Sequence, residues 1–302
     1  MTASTCTASA VLSIGRVYCD LIFTGLDEMP VLGRELFAGG MDIAAGGGAF
    51  IAAAHVAHLG RKAALVARLG TDALSVGVRD EIERTGVDLR FADYAADAGP
   101  QVTVAAVVGQ ERAFLTRRAG EVCPTTLEVA LSWDEARHLH IAEYATLHEI
   151  PDLVVRAKAK GLTVSLDPSW DASLIYDPAL LSRCEGVDVF LPNLEEAEAI
   201  TGSPDPEMAL RMLKSTFPIV VLKGGASGAW AASGDVLLHV PAKSVPVVDT
   251  TGAGDAFNAG FLNEWLGKSL LSDCLSAGID AGSLAVQTAG GATALPKRQP
   301  GR

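Results

Sequence analysis

Residues 249–258 read Asp249-Thr250-Thr251-Gly252-Ala253-Gly254-Asp255-Ala256-Phe257-Asn258. An apolar, β-branched stretch (Val245, Pro246, Val247, Val248) precedes the run, and a helix-like segment, Ala256–Leu266, follows it. The predicted order is strand, glycine turn, helix start. Gly252 and Gly254 carry no Cβ, so the backbone can turn sharply and a ligand can approach its amides. Those amides lie at a helix N-terminus, where unpaired N–H groups and the helix dipole both favour an anion. Asp255 puts a carboxylate where a phosphate would sit, which is repulsive unless the carboxylate has a task. Two tasks suit it. It can take a proton from a hydroxyl attacking a phosphoryl group, or it can cap the helix, as Asp commonly does.

The rest of the chain restricts the setting. At 302 residues it can form one large domain or two small ones, and 49% hydrophobic content is ample for a core. The net charge of −12, from 24 basic and 36 acidic residues, argues against a nucleic-acid partner. It does not exclude a phosphorylated ligand, because a helix N-terminus binds phosphate without a local cation. Cys6, Cys19, Cys123, Cys184 and Cys274 are scattered and form no Cys-x-x-Cys pair, so neither a disulfide framework nor a zinc site is indicated. Reduced thiols in a cytoplasmic protein are the simplest reading. No basic residue precedes an apolar core at the N-terminus, and the apolar stretch there is interrupted by Arg16 and Asp20. It is read as a strand, not as a secretory signal or a membrane span.

Two lookalike motifs fail. Gly267-Lys268-Ser269 imitates the end of a P-loop, but Leu262 stands where the required glycine belongs. No Gly-x-Gly-x-x-Gly opens the first βα unit, which disfavours a dinucleotide dehydrogenase. The six histidines show no metal spacing, and structural or solvated roles are expected for them, including His138 and His140, which alternate along a strand.

Short apolar runs alternate with helical patterns. Strands are predicted at Val11–Ile14, Ala63–Ala67, His138–Ala142, Leu162–Leu166, Val187–Leu191 and Ile219–Leu222. Helices are predicted at Phe50–Leu59, Leu74–Thr85, Ile150–Ala159, Leu194–Thr201, Pro206–Thr216, Ala256–Leu266 and Leu270–Thr288. Such alternation implies an α/β fold, a three-layer sandwich whose mostly parallel central sheet is covered on both faces. Ligands in such sheets sit beyond the carboxyl ends of the strands. Val17–Ala38 and Gln101–Arg118 interrupt the alternation as extended pieces, and Thr103–Val108 with Ala113–Thr116 reads as a hairpin. They are expected to form a small β lid, with edge strands of the main sheet as the alternative. No interdomain linker is evident in residues 1–302, and the tail from Lys297 reads as frayed.

The run at 249–258 resembles the signature of the ribokinase family of carbohydrate kinases, the phosphofructokinase-B group. That resemblance implies an anion hole at Gly252, Ala253 and Gly254, and a catalytic base at Asp255. It extends from Gly15–Asp20 through Gly46-Gly47-Gly48, Leu69-Gly70-Thr71-Asp72 and Asn193–Glu196 to Ala285–Pro296, in the family's order. It implies a ribokinase-like single domain, with a lid formed by about residues 17–40 and 100–118 that covers the sugar and often makes a dimer contact.

The remaining site residues follow from the same resemblance. Asp20, Gly46, Gly47 and Glu143 are expected to contact the substrate, although a strand-end Asp or a loop Glu is also ordinary turn chemistry. Ile51 stands where relatives often place an Asn, and Tyr18 where some place another, so the sugar itself is not fixed by the likeness. Asn193 and Glu196 satisfy a capping box. They also match a motif that organises magnesium and phosphate through water, which suits Mg2+. Lys223, Gly225, Gly228 and Thr250 are expected along ATP, with Lys223 also readable as a solvated strand-end lysine. Asp249 and Thr251, with carbonyls of 285–296, are expected to hold a monovalent cation such as K+. Ala294 replaces a hydroxyl that some relatives use there. The chain is therefore expected to phosphorylate a primary hydroxyl of a sugar from ATP. A nucleoside kinase of the same fold, and less so a non-catalytic sugar or nucleotide regulator, are the alternatives.

Overall fold

The computed structural model describes residues 9–109, 111–288, 290–292 and 295. Its strands are β1 Ala10–Ile14, β2 Tyr18–Thr24, β3 Gly40–Gly46, β4 Ala63–Val66, β5 Arg68–Leu69, β6 Asp93–Tyr94, β7 Val102–Val108, β8 Glu111–Arg117, β9 Ala136–Ile141, β10 Thr163–Leu166, β11 Val189–Phe190, β12 Ile219–Lys223, β13 Ala229–Ser233 and β14 Val236–Val240. The helices are α1 Gly48–His58, α2 Ala73–Thr85, α3 Leu127–Leu131, α4 Tyr144–Glu149, α5 Leu153–Ala159, α6 Leu180–Arg183, α7 Leu194–Thr201, α8 Pro206–Leu213, α9 Ala253–Leu266 and α10 Leu271–Ala285.

The main sheet runs β14-β13-β12-β11-β10-β9-β1-β4. Strands β4 to β12 in this order pair in parallel, and only β13 and β14 are antiparallel. Alternation along each strand sends residues to two faces. Leu12, Ile14, Leu139, Ile141, Val164, Leu166, Val220 and Leu222 enter one core with α5, α7 and α8. On the opposite face Val11, Ala63 and Leu65 pack on α1, while Val189, Val221 and Ala231 pack on Phe257 and Phe261 of α9 and Leu275 of α10. Burying each such Leu or Phe side chain contributes about 1.5–3 kcal/mol before entropy.

This second core is divided in two because the central strands present polar residues there. His138 bonds Thr163 Oγ1 and Ser165 Oγ at 2.8 Å each, and His140 bonds the same Ser165 Oγ at 2.8 Å. Both rings are buried, His138 packs edge-on to Trp265, and burial pushes His140 down to about 4 and His138 well down, so both are neutral. These two histidines are structural, not solvated.

A second, four-stranded sheet, β3-β2-β7-β8, is separate from the main sheet; this lid sheet contains the expected lid segments and extends beyond the expected bounds through β3. It is not an edge of the main sheet: β2 pairs antiparallel with β3 and parallel with β7, and β7 and β8 make a hairpin.

Two local expectations are corrected. The stretch Val245–Val248 is not a strand. Pro246 cannot donate to a ladder, the sheet edge beyond β12 is taken by the β13–β14 hairpin, and the N–H groups of Val248 and Asp249 instead donate to Val286 O at 2.8 and 3.2 Å. That hairpin carries a signal the sequence reading passed over, the two-residue turn Gly234-Asp235 with Gly234 at φ 54°. The helix expected at Ile150–Ala159 begins only at Leu153, as α5, and α4 ends before it at Glu149, since Pro151 holds Ile150 out of helical geometry (φ −124°, ψ 75°). Cys6, Ala294 and the tail from Lys297 lie outside the described residues.

Candidate active site

Glu143 stands just past β9, Asp167 past β10, Asn193 past β11, and Lys223 ends β12. These strands are consecutive neighbours, so at a spacing of about 4.8 Å the four residues span roughly 14 Å along the sheet's carboxyl edge. A cleft of about 940 Å³ follows that edge, closed on one side by the lid and on another by the N-terminus of α9. Expected residues that line it are Asp20, Gly47, Ile51 and Glu143; Asn193, Glu196, Lys223, Gly225 and Gly228; and the run Thr250 to Asp255. Gly46 and Asp249 are not part of the lining.

Asp255 is the third residue of α9, not its cap, so the capping reading is excluded. The cap position is Gly252, in the left-handed conformation (φ 72°, ψ 2°), where a Cβ would fall 2.6 Å from Gly291 Cα. No side chain caps this end of the helix, and the Ala253 amide turns back to Thr250 O at 3.3 Å. The Asp255 carboxylate faces Gly48 so closely that a Cβ there would stand 2.7 Å from Oδ1. Burial, then the charges of Asp167 and Glu143, push its carboxyl from 3.8 up to about 7, with Lys223 opposing them.

A polar network fixes the neighbouring carboxylates. Asp167 pairs with the Lys223 ammonium and accepts from Asn258 Nδ2 at 2.6 Å and Ser169 N at 3.1 Å. Lys223 is therefore not a solvated lysine. Burial works against its charge, but Asp167 and Glu196 outweigh it and raise its pKa. The ammonium also lies against the first turn of α9, about 3.5 Å from where a Gly254 Cβ would be. Asn193 and Glu196 close a full capping box, Glu196 N to Asn193 Oδ1 and Asn193 N to Glu196 Oε2, each at 2.8 Å. Burial and the charge of Asp167 push Glu196 up to about 7.

At the lid end, Asp20 of β2 is held up at about 7 by burial and by the charges of Glu81 and Asp249. Gly46 on β3 makes room for it: a Cβ there would be 2.0 Å from Asp20 Oδ2, so Gly46 supports the carboxylate from behind. Gly47 is forced to be glycine by φ 95° and by Arg16 O, 2.4 Å from its missing Cβ. Glu143 accepts from Arg16 N at 3.2 Å and Thr146 Oγ1 at 3.1 Å, and burial raises its pKa. Ile51 reaches the cleft but packs on the glycine loop, 3.1 Å and 2.7 Å from where Cβ atoms on Gly252 and Gly291 would sit. It offers substrate an apolar contact only.

Sequence reasoning missed Asp167 and Arg112. Asp167 was legible, since it is the first residue past a predicted parallel strand, as Glu143 is. Arg112 carried no signal. It projects from β8, and its guanidinium donates to Thr251 Oγ1 at 2.8 Å and Thr250 Oγ1 at 3.1 Å and pairs with Asp249 Oδ1 at 2.8 Å. Asp249 also accepts from Thr251 N at 2.8 Å and Gly290 N at 2.9 Å.

Residues 10–298 match the family described as pfkB family carbohydrate kinase. The 2-dehydro-3-deoxygluconokinase of Bacillus subtilis is 26% identical over 295 residues, covering 92% of this chain and 88% of that protein. Among solved structures, ribokinase of Arabidopsis thaliana complexed with ribose and ATP superposes with a TM-score of 0.84 at 22% identity, covering 96% of each chain. A putative ribokinase II from E. coli in complex with ATP and Mg2+ gives 0.79 at 21% identity, covering 95% of this chain and 96% of that one. Family match, shared architecture and a glycine-made helix start facing a carboxylate in one cleft agree, and the chain belongs to the pfkB family of carbohydrate kinases, making it an ATP-dependent phosphotransferase.

Proposed function

We propose that this enzyme transfers the γ-phosphoryl group of ATP to a primary hydroxyl of a sugar or sugar derivative, with Asp255 as the general base. The observation that carries the reading is the Asp255 carboxylate, poised near neutrality beside an uncapped helix start within the cleft. A base is most useful when its pKa lies near the working pH. The substrate hydroxyl gives its proton to Asp255. Charge on the transferred phosphoryl is met by the first-turn amides of Gly252 to Gly254 and by the Lys223 ammonium beside them. Asp20, Gly47 and Glu143 orient the sugar, and the loop at Gly225 and Gly228 lies along the nucleotide. A lowered lid keeps out water that would otherwise compete as acceptor.

No group of three or more His, Cys, Asp or Glu among the described residues is arranged to hold a metal alone. That suits Mg2+, which keeps several waters and binds through one or two carboxylates and the substrate phosphates. Glu196, with Asp167 beside it, is the group to hold it through water, and bound Mg2+ would neutralise phosphate charge.

The outward face of the lid supports a homodimer. Met41, Ile43 and Leu115 share that face with Leu21, Phe23 and Val104 and are 51%, 55% and 73% exposed. A cytoplasmic setting suits the four described cysteines, all free. No described helix is long and apolar enough to cross a membrane.

The test is ATP consumption over ribose, fructose, ketodeoxy sugar acids and nucleosides, with wild type and Asp255→Asn. One sugar should support turnover, and D255N should lose about 10²–10⁴-fold in kcat while binding ATP normally. Wild-type turnover by D255N would sink the base assignment. A preference for nucleosides would move the substrate class, and ATP binding with no acceptor at all would favour a regulator.

A further inference from the structure

We propose that Arg112, carried on lid strand β8, supplies the single positive charge beside the anion loop that a bound monovalent cation was expected to supply, so that this enzyme works without one. The proposal rests on the kinase reading for its turnover measurement only.

The argument starts from Asp249. Its carboxylate accepts three donors: the amides of Thr251 and Gly290, and the Arg112 guanidinium. The two amides fix the loop one residue before Gly252. The third donor neutralises a carboxylate that would otherwise repel phosphate arriving at the helix start. The pair is well shielded, with 18% of the Arg112 side chain and 12% of the Asp249 side chain exposed, so its field is little screened by solvent.

A monovalent cation on the same carboxylate would stand at contact distance from the guanidinium, and two like charges so placed repel strongly. The Thr250 and Thr251 hydroxyls are also turned toward Arg112. The residues that were to hold a cation therefore hold an arginine. Arg112 sits behind the lining residues Thr250 and Thr251, and neither cation among the described residues lining the cleft is placed to do this. Lys223 is committed to Asp167, and Lys243 pairs with Asp280 at the surface.

Arg112 differs from a bound ion in one consequence. Its register opposite Val107 places it within the lid hairpin. The charge therefore reaches Asp249 only when the lid is down, which links neutralisation of the anion loop to closure over substrate.

The experiment compares wild type, R112A and R112K in potassium chloride and in N-methylglucamine chloride at matched ionic strength. Two readouts are taken: sugar-dependent ATP turnover, and calorimetric affinity for a non-hydrolysable ATP analogue with Mg2+. Wild type and R112K should differ by less than about twofold between the salts in both, whereas R112A should lose at least about tenfold in kcat without potassium and regain about fivefold with it. Its analogue affinity should become potassium-dependent in the same direction. R112Q, which removes the charge but keeps a polar head, carries the test should R112A not fold. The proposal is overturned if wild type gains about tenfold from potassium in either readout, or if the charge-removing variants respond to potassium in neither. The calorimetric arm decides the matter even if no sugar is turned over, so a failure of the kinase reading is seen separately.

Discussion

Asp255 combines two demands on one side chain. It lies in a desolvated cleft among other carboxylates, and the proposed reaction requires it to lose its proton there. With its carboxyl pushed up to about 7, kcat/KM should fall tenfold per unit as pH drops below that value and level off above it, which a pH–rate profile would check. The same shift has a stability consequence of opposite sign. Because the folded pKa exceeds the unfolded 3.8, the native state holds a proton between those values that the unfolded chain releases, and stability falls as pH rises through about 7. Asp255→Asn removes this term. Its thermal midpoint should exceed that of wild type at pH 8, and the difference should vanish near pH 4. Equal midpoints at both pH values would mean that the carboxylate is not desolvated. Asp255 and Gly252 were readable because their chemistry is local, a glycine turn and a helix start within one decapeptide. Arg112 was not, since its partner Thr251 lies 139 positions away.

Secondary-structure elements carry the next layer of constraint. Pairing of β2 with β3 sets Asp20 opposite Ala44 and brings Gly46 against its carboxylate. Gly46→Ala should therefore displace Asp20 and raise KM for the sugar several-fold while leaving KM for ATP nearly unchanged, since the nucleotide end is built from other strands. Comparable changes in both constants would show that β3 does not act through Asp20. At α7, the capping box holds Glu196 while satisfying the helix start. Asn193→Ala should cost about 1 kcal/mol of stability by denaturant titration. It should also raise the Mg2+ concentration needed for half-maximal activity, because Glu196 loses its tether. Element types were legible wherever periodicity was strong. The misses have local causes: Pro151 delays the start of one helix to Leu153, Pro246 excludes a strand, and the Gly234-Asp235 turn makes a hairpin that competes for the sheet edge.

Across the whole molecule, function depends on how a lid sheet meets a main sheet. The lid sheet reaches the cleft lining through Tyr18, Asp20 and Thr103, carries Arg112 on the same face as Asp20 and Thr103, and exposes Met41, Ile43 and Leu115 on the other. If that outer face joins two copies, Ile43→Asp with Leu115→Asp should yield a monomer by light scattering, with ATP affinity retained and sugar KM raised as the lid loses support. A double variant with unchanged mass would place the dimer contact elsewhere or remove it. By itself the sequence determined the glycine-made helix start, its carboxylate, the parallel α/β layering and the existence of extended segments outside the main sheet, since each is written in glycine positions or in periods of 2.0 and 3.6 residues. Only the tertiary structure decided that Asp167 binds Lys223, that Gly46 stands behind Asp20, and that a lid arginine reaches Asp249. These contacts join residues far apart in the chain, and pair distances of that kind follow from packing, which no local pattern encodes.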